Sequence, residues 1–126
     1  MNNEILFFII AFVLPHLYYR TLLFTASKVF DKPILREKTE LKIHHIHYGM
    51  IISLIATLFL LFIEKNIYIT TALGFGLGLM YDEFIPALLM KSKRSDEMVV
   101  YKKSFKSTLI MFGTIILLLI ILSLLI

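Results

Sequence analysis

The stretch Ile67–Leu89, which reads IYITTALGFGLGLMYDEFIPALL, decides the fold of this chain. It is largely apolar apart from the acidic pair Asp82-Glu83, and its length matches the roughly 20 residues that a helix needs to cross a bilayer. Charged groups beside lipid require partners, so an acidic pair in such a span indicates a site. We therefore interpret the stretch as a membrane-spanning helix that carries part of a polar site.

Three more apolar runs of similar length lie at residues 5–24, 45–63 and 109–126. Hydrophobic residues make up 59% of the 126 residues, and the mean hydropathy is +0.86. This composition leaves too little polar surface for a soluble globule. It predicts an all-α integral membrane protein in which four transmembrane helices form one compact bundle over residues 1–126.

Several chemistries are excluded by residues that the sequence lacks. The chain has no cysteine, which removes disulfides, thiolate zinc sites, iron–sulfur clusters and cysteine nucleophiles. The zinc protease pattern HExxH is also absent. The run GFGLG at 74–78 superficially resembles a nucleotide-binding loop, but it lies inside an apolar span, where helix packing is the better explanation.

Basic residues are concentrated in two of the three predicted loops, whereas the loop at 64–66 contains only Lys65. They are Lys28, Lys32, Arg36, Lys38 and Lys42 in the first loop and Lys91, Lys93, Arg94, Lys102, Lys103 and Lys106 in the third. Because short cytoplasmic loops are rich in Lys and Arg, both termini are predicted outside. The basic loops are also expected to meet anionic lipid headgroups. Residues 1–4 contain no Lys or Arg and no small-residue cleavage site follows, so the first span is interpreted as a retained helix.

This topology brings polar residues from three spans to one depth, near the cytoplasmic face. At about 1.5 Å per residue, Asp82 lies roughly 22 Å along its helix from Ile67. The stretch His44-His45-Ile46-His47-Tyr48-Gly49 opens the second span at the same side, and Arg20 reaches a similar depth in the first. The expected layer comprises Arg20, His44, His45, His47, Tyr48, Asp82 and Glu83.

Helical periodicity predicts which histidines converge. At 100° per residue, His44, His47 and Tyr48 share one face of the second helix, and His45 lies at the edge of that arc. His16, which follows Pro15 in the first span, is interpreted as a hydrogen-bonded packing residue rather than a ligand.

The third span shows a stripe of small residues that leads to its aspartate. Gly74 and Gly78 precede Asp82 at intervals of four, which is typical of a close helix contact and also offers a surface for a homo-oligomer. Asp82 is therefore predicted to face a neighbouring helix, and Glu83 to face another direction. Pro86 lacks the N–H that would bond the carbonyl of Asp82, which predicts a free backbone acceptor beside the acids.

Imidazole and carboxylate groups together are the ligand set of zinc, iron and manganese. The first hypothesis is accordingly a divalent metal site, with zinc or iron bound by His44, His45, His47, Asp82 and Glu83. In this hypothesis Glu83 also acts as a catalytic general base toward a metal-bound water. A position near the inner leaflet then points to a lipid or amphiphilic substrate.

Two further classes of function stay open, and no nucleic-acid partner is expected. One is a metal-ion or proton transporter or channel subunit. The other is a non-catalytic accessory subunit, in which histidines, acids, Arg20 and Tyr48 form a structural network or respond to pH. The sequence leaves open whether the protein is an enzyme.

The pattern His44-His45-x-His47-x-Gly49, followed by Gly74-x-Gly76-x-Gly78 and Asp82-Glu83, resembles one in small, uncharacterised prokaryotic multi-pass membrane proteins. The resemblance covers the second and third spans, about half of the chain. It implies that the histidines and acids belong to one site, but it implies no activity for that site.

Overall fold

A computed structural model describes residues 2–25, 45–89 and 95–126. These parts of the chain form five helices and no strand: α1 Asn3–Thr25, α2 His45–Phe62, α3 Ile67–Leu89, α4 Ser95–Lys103 and α5 Phe105–Leu125. All but the short α4 are long and apolar enough to cross a membrane, which fits a multi-pass membrane protein. The first basic loop and His44 fall outside the described residues, as do the basic residues at 91–94.

The four predicted spans are confirmed as apolar helices, and α3 has the predicted bounds. Two differences occur at the third loop. The last helix begins at Phe105 rather than at 109, and α4 lies inside the expected loop. A hydropathy pattern does not predict α4, because its nine residues are mostly polar.

Side chains cap the start of two spans. The side-chain oxygen of Asn66 accepts hydrogen bonds of 3.0 Å from the backbone N–H groups of Tyr68 and Ile69. Asn2 accepts one of 3.0 Å from Glu4 in the same way. Because the first turn of a helix leaves N–H groups without an intrahelical partner, these caps fix the starts of α3 and α1.

Helix α3 packs along both α1 and α2, and small residues permit the close approach on each side. On the α1 side, a methyl group added at Gly74 would lie 2.6 Å from the carbonyl oxygen of Phe8. On the α2 side, one added at Gly76 would lie 2.6 Å from Ser53 Oγ and 3.1 Å from the carbonyl oxygen of Gly49. Lipid gives little hydrophobic gain for helix association, so such backbone contacts hold spans together.

The last span packs more lightly on the others. Only Thr108 and Phe112 of α5 are buried, and the Phe112 ring lies 4.9 Å from that of Phe12 on α1. Most of the remaining α5 surface is exposed, as expected for a helix that faces lipid on several sides. Among the described residues, the buried ionisable groups are instead gathered around Asp82, in the second half of α3.

Candidate site: a buried histidine and carboxylate network

The carboxylate of Asp82 lies at the centre of the network and is fully buried. Its Oδ1 is 2.7 Å from Nδ1 of His16 on α1, and its Oδ2 is 2.8 Å from Nε2 of His45 on α2. Arg20 Nε lies 3.5 Å from Oδ1. One side chain of α3 therefore contacts polar groups from both helices that flank it.

Glu83 extends the network toward α4. Its Oε1 is 2.8 Å from Nδ1 of His45 and accepts a hydrogen bond from the phenol of Tyr101. Its Oε2 accepts a hydrogen bond of 3.2 Å from the backbone N–H of Ile46, in the first turn of α2. The carboxylate thus caps the start of α2, where the helix dipole favours negative charge.

Arg20 joins three helices through its guanidinium group. One terminal nitrogen donates to the backbone carbonyl of Asp82 at 3.2 Å, and the other donates to the carbonyl of Tyr101 at 3.4 Å. The first acceptor is the carbonyl that Pro86 leaves without its usual helical donor. The guanidinium also lies 5.1 Å from the centroid of the Tyr101 ring, a cation–π distance.

Aromatic rings cover the network on two sides. Tyr19 stacks on His45 with centroids 4.1 Å apart and planes 7° from parallel. Phe112 stacks on His16 at 4.6 Å. These rings limit the access of water to the buried groups, which strengthens the electrostatic interactions among them.

Tyr101 belongs to α4, outside the membrane-spanning helices, and is only 2% exposed. Burial, followed by the nearby Glu83 carboxylate, holds the pKa of its phenol well above the usual value of 10.0. The phenol therefore keeps its proton and acts as a hydrogen-bond donor at physiological pH.

The structure brings together Arg20, His45, Asp82 and Glu83, as the sequence predicted. The structure differs from the prediction in which face of α2 is buried: His45 is buried, whereas His47 and Tyr48 are exposed. The buried residues of α2 are His45, Gly49, Ser53 and Ala56. This stripe, with small residues at intervals of three or four, packs on α3 and places His45 inward. The roles predicted for His47 and Tyr48 in the site stay predictions.

Two members of the network lie outside the site that the sequence predicts. The sequence predicts His16 as a hydrogen-bonded packing residue; it does form a hydrogen bond, and its partner is Asp82. Its interval of four residues from Arg20 was a usable signal, since both then share one face of α1. Tyr101 lies in the third loop of the predicted topology, where no apolar run drew attention to it.

Among the described residues, no group of three or more His, Asp or Glu side chains is arranged to hold a metal ion. The geometry gives the reason. The ring nitrogens of His16 and His45 point directly at carboxylate oxygens of Asp82, 2.7 and 2.8 Å away, and do not share a point at which an ion would lie. Arg20 already supplies a cation beside the same carboxylate. The described groups therefore form no metal centre by themselves. The predicted centre also includes His44, which lies outside the described residues, and it stays a prediction.

Comparison with known proteins assigns no family. The sequence matches no family model, no curated protein and no solved structure. The function must therefore be argued from the network itself.

Proposed function

We propose that this protein is a proton-binding membrane module, a non-catalytic accessory subunit whose helix packing responds to pH. The observation that carries the proposal is the position of His45. Its two ring nitrogens each lie 2.8 Å from a carboxylate oxygen, one of Asp82 and one of Glu83. This Asp82–His45–Glu83 bridge links α2 to α3 through a group whose charge changes near physiological pH.

The number of protons in the bridge follows from a count of its hydrogen-bond donors and acceptors. A neutral imidazole has only one N–H, whereas two carboxylates offer only acceptors. A neutral imidazole can therefore donate to only one of the two carboxylates. Both contacts of His45 are hydrogen bonds only when the bridge holds one additional proton, either on the ring or on one of the acids. Since Glu83 already accepts hydrogen bonds from Tyr101 and Ile46, an imidazolium between two carboxylates is the arrangement that best fits.

That proton also balances charge in a site with little water. With Asp82 and Glu83 ionised, Arg20 and a charged His45 bring the sum over the described members of the network to zero. The other polar members, His16 and Tyr101, add no charge when neutral. Loss of the proton makes this sum negative, and gain of a second proton makes it positive. Either change is costly, because buried charge beside lipid requires compensation.

The polar contacts extend from Tyr101 through Glu83, His45 and Asp82 to His16. Beyond His16 lie the packed rings of Phe12 and Phe112, with centroids 4.9 Å apart. Apolar packing there favours a proton site that is loaded from one side over a route that crosses the membrane. We therefore prefer the accessory module to the transporter, the second class of function that the sequence left open.

The pH response follows from the helices that the bridge connects. His45 belongs to the first turn of α2, and Glu83 bonds the backbone of that same turn at Ile46. Deprotonation of the bridge removes one of the two contacts of His45 and leaves the acids facing each other. The start of α2 then separates from α3, and this movement is what a partner protein would detect.

Nitrogen-15 NMR of the histidine side chains in lipid nanodiscs tests the proposal directly. At neutral pH, we expect the His45 ring to show two protonated nitrogens. On raising the pH, its deprotonation should coincide with faster hydrogen exchange at the start of α2, and His45→Phe should abolish this transition. The matched control is His47→Phe, which changes an exposed histidine two residues away and should leave the transition intact.

Three results would overturn the proposal. The first is a network whose protonation does not change while the protein stays folded. The second is identical behaviour of the two histidine variants. The third is proton flux into proteoliposomes that follows an imposed gradient and is lost with Asp82→Asn, since this would assign the protein to the transporters.

A metal-dependent enzyme with a lipid or amphiphilic substrate stays a prediction from the sequence. It requires His44, which lies outside the described residues, to join groups that at present bond one another. Elemental analysis of the purified protein addresses this hypothesis independently of the proton measurements.

A further inference from the structure

We infer that the lysines at the junction of α4 and α5 bind anionic lipid headgroups, and that this binding holds Tyr101 against Glu83. The inference rests on the proposed function, since it names what regulates the proton site. The lysines are Lys102, Lys103 and Lys106, and all three are exposed. We refer to them as the junction lysines.

The position of the junction lysines determines which partner they meet. Lys102 and Lys103 form the last turn of α4, Ser104 alone separates α4 from α5, and α5 is a candidate membrane span from Phe105 onward. Ammonium groups so close to the start of a span lie at the depth of lipid headgroups. A negatively charged bilayer surface attracts basic residues there, and each strengthens attachment roughly five-fold before screening by salt.

Tyr101 is adjacent to these lysines but points the opposite way. Successive helical residues differ by 100° in direction, so Lys102 and Lys103 turn outward while Tyr101 is 2% exposed. Tyr101 fastens α4 to the network through its phenol on Glu83 and its carbonyl on Arg20. The single short helix α4 therefore carries a lipid-facing surface and a contact to the proton site.

This arrangement couples the bilayer surface to the bridge. When anionic headgroups hold the junction lysines at the surface, α4 stays docked and the Tyr101 hydroxyl remains a donor to Glu83. When the surface is neutral, α4 is held by its contacts within the protein, those of Tyr101 among them, without help from headgroups, and it opens more often. Opening removes one hydrogen bond from Glu83 and admits water to the Asp82–His45–Glu83 bridge, so the pH at which the bridge loses its proton depends on lipid charge.

Hydrogen exchange of the backbone amides at 99–103 measures the docking of α4. We expect exchange to be several-fold slower in nanodiscs that contain phosphatidylglycerol than in phosphatidylcholine alone. Glutamine at all three junction positions should abolish this difference, whereas arginine at all three should preserve it. Lys65→Gln is the matched control, because Lys65 is an exposed lysine in the α2–α3 loop. Soluble glycerol phosphate at the same concentration should have no effect, since the partner is a lipid surface.

The His45 NMR transition, measured in the same two lipids, tests the regulatory part. It should occur at different pH values in the two lipids for the wild type, and at the same pH for the triple glutamine variant. Equal exchange at 99–103 in both lipids overturns the inference but leaves the His45 transition, and with it the proposed function, standing. A lipid-dependent exchange with an unmoved His45 transition overturns the coupling. Absence of any His45 transition overturns the proposed function itself.

Discussion

The charge balance of the network predicts an unusual energetic coupling between His45 and Glu83. His45→Phe keeps an aromatic ring against Tyr19, whose plane lies 7° from that of His45, but it removes the bridging cation. The sum over the described charges then falls from zero to minus one. Glu83→Gln alone raises the sum to plus one. The double variant returns it to zero, with Asp82 paired to Arg20.

The expected magnitudes follow from the burial of these groups. His45 is 8% exposed and Glu83 is 1% exposed, so each substitution removes one member of a buried ion pair. Removal of one member of a buried ion pair costs about 3–5 kcal/mol. Because the double variant removes both members of this pair, its loss of unfolding free energy should be smaller than the sum of the two single losses by about 1–3 kcal/mol.

Steric trapping of the unfolded state in lipid bicelles gives the unfolding free energy of all four proteins. The control cycle pairs His45→Phe with Lys65→Gln. Lys65 forms an ion pair of 2.9 Å with Glu4 at the surface, away from the bridge, so the losses of unfolding free energy of these two variants should add. Additive losses for His45 and Glu83, within about 0.5 kcal/mol, would refute the charged bridge. A double variant less stable than the sum would refute it as well.

Three further predictions concern packing, pH and metal. A methyl group at Gly78 would overlap the backbone carbonyl of Phe12, so Gly78→Ala should cost about 1–3 kcal/mol of unfolding free energy in the bicelle assay. Gly113→Ala, which has open space around it, should cost nothing, and equal effects of the two would contradict the close contact of α1 with α3. The Tyr101 phenol has a raised pKa, so its contribution to stability is complete below pH 10.0 and declines as the pH rises above that value, where the unfolded chain releases the proton. Between pH 9 and pH 11, about one unit on either side of the tyrosine reference value, the melting temperature should thus fall more steeply for the wild type than for Tyr101→Phe, and parallel curves would count against this. Elemental analysis should give the same trace metal content for the wild type and His45→Phe, whereas stoichiometric metal lost with His45 would restore the metal hypothesis.

The sequence predicted the parts of the structure that depend on hydropathy and on single-helix geometry. Four apolar runs became four helices, and Asp82 faces neighbouring helices at the end of its glycine stripe. The carbonyl that Pro86 leaves without its helical donor is present, and Arg20 supplies the missing donor. These features follow from rules that apply within one helix, so they need no knowledge of its neighbours.

The rotation of α2 could not be read from its histidines alone. Titratable groups and small residues gave competing answers for the buried face, and the small residues Gly49, Ser53 and Ala56 determine it. In a bilayer this outcome is physically reasonable. An apolar side chain gains little by leaving lipid for protein, so close backbone contact decides which face is buried, and His45 is buried because it continues that face by one turn.

The same argument explains why Tyr101 was missed and why it belongs to the site. A network with two buried acids gains a donor from outside the three helices that form it. Among the described groups, α1 and α2 supply two histidines, one arginine and the backbone N–H of Ile46. The short helix α4 delivers a phenol, whose high pKa ensures that it donates. Hydropathy does not detect this mostly polar helix, although a short apolar run at 98–101 between charged residues is typical of a surface helix. A search for partners of Asp82-Glu83 should therefore extend to amphipathic segments beside the spans as well as to polar residues within them.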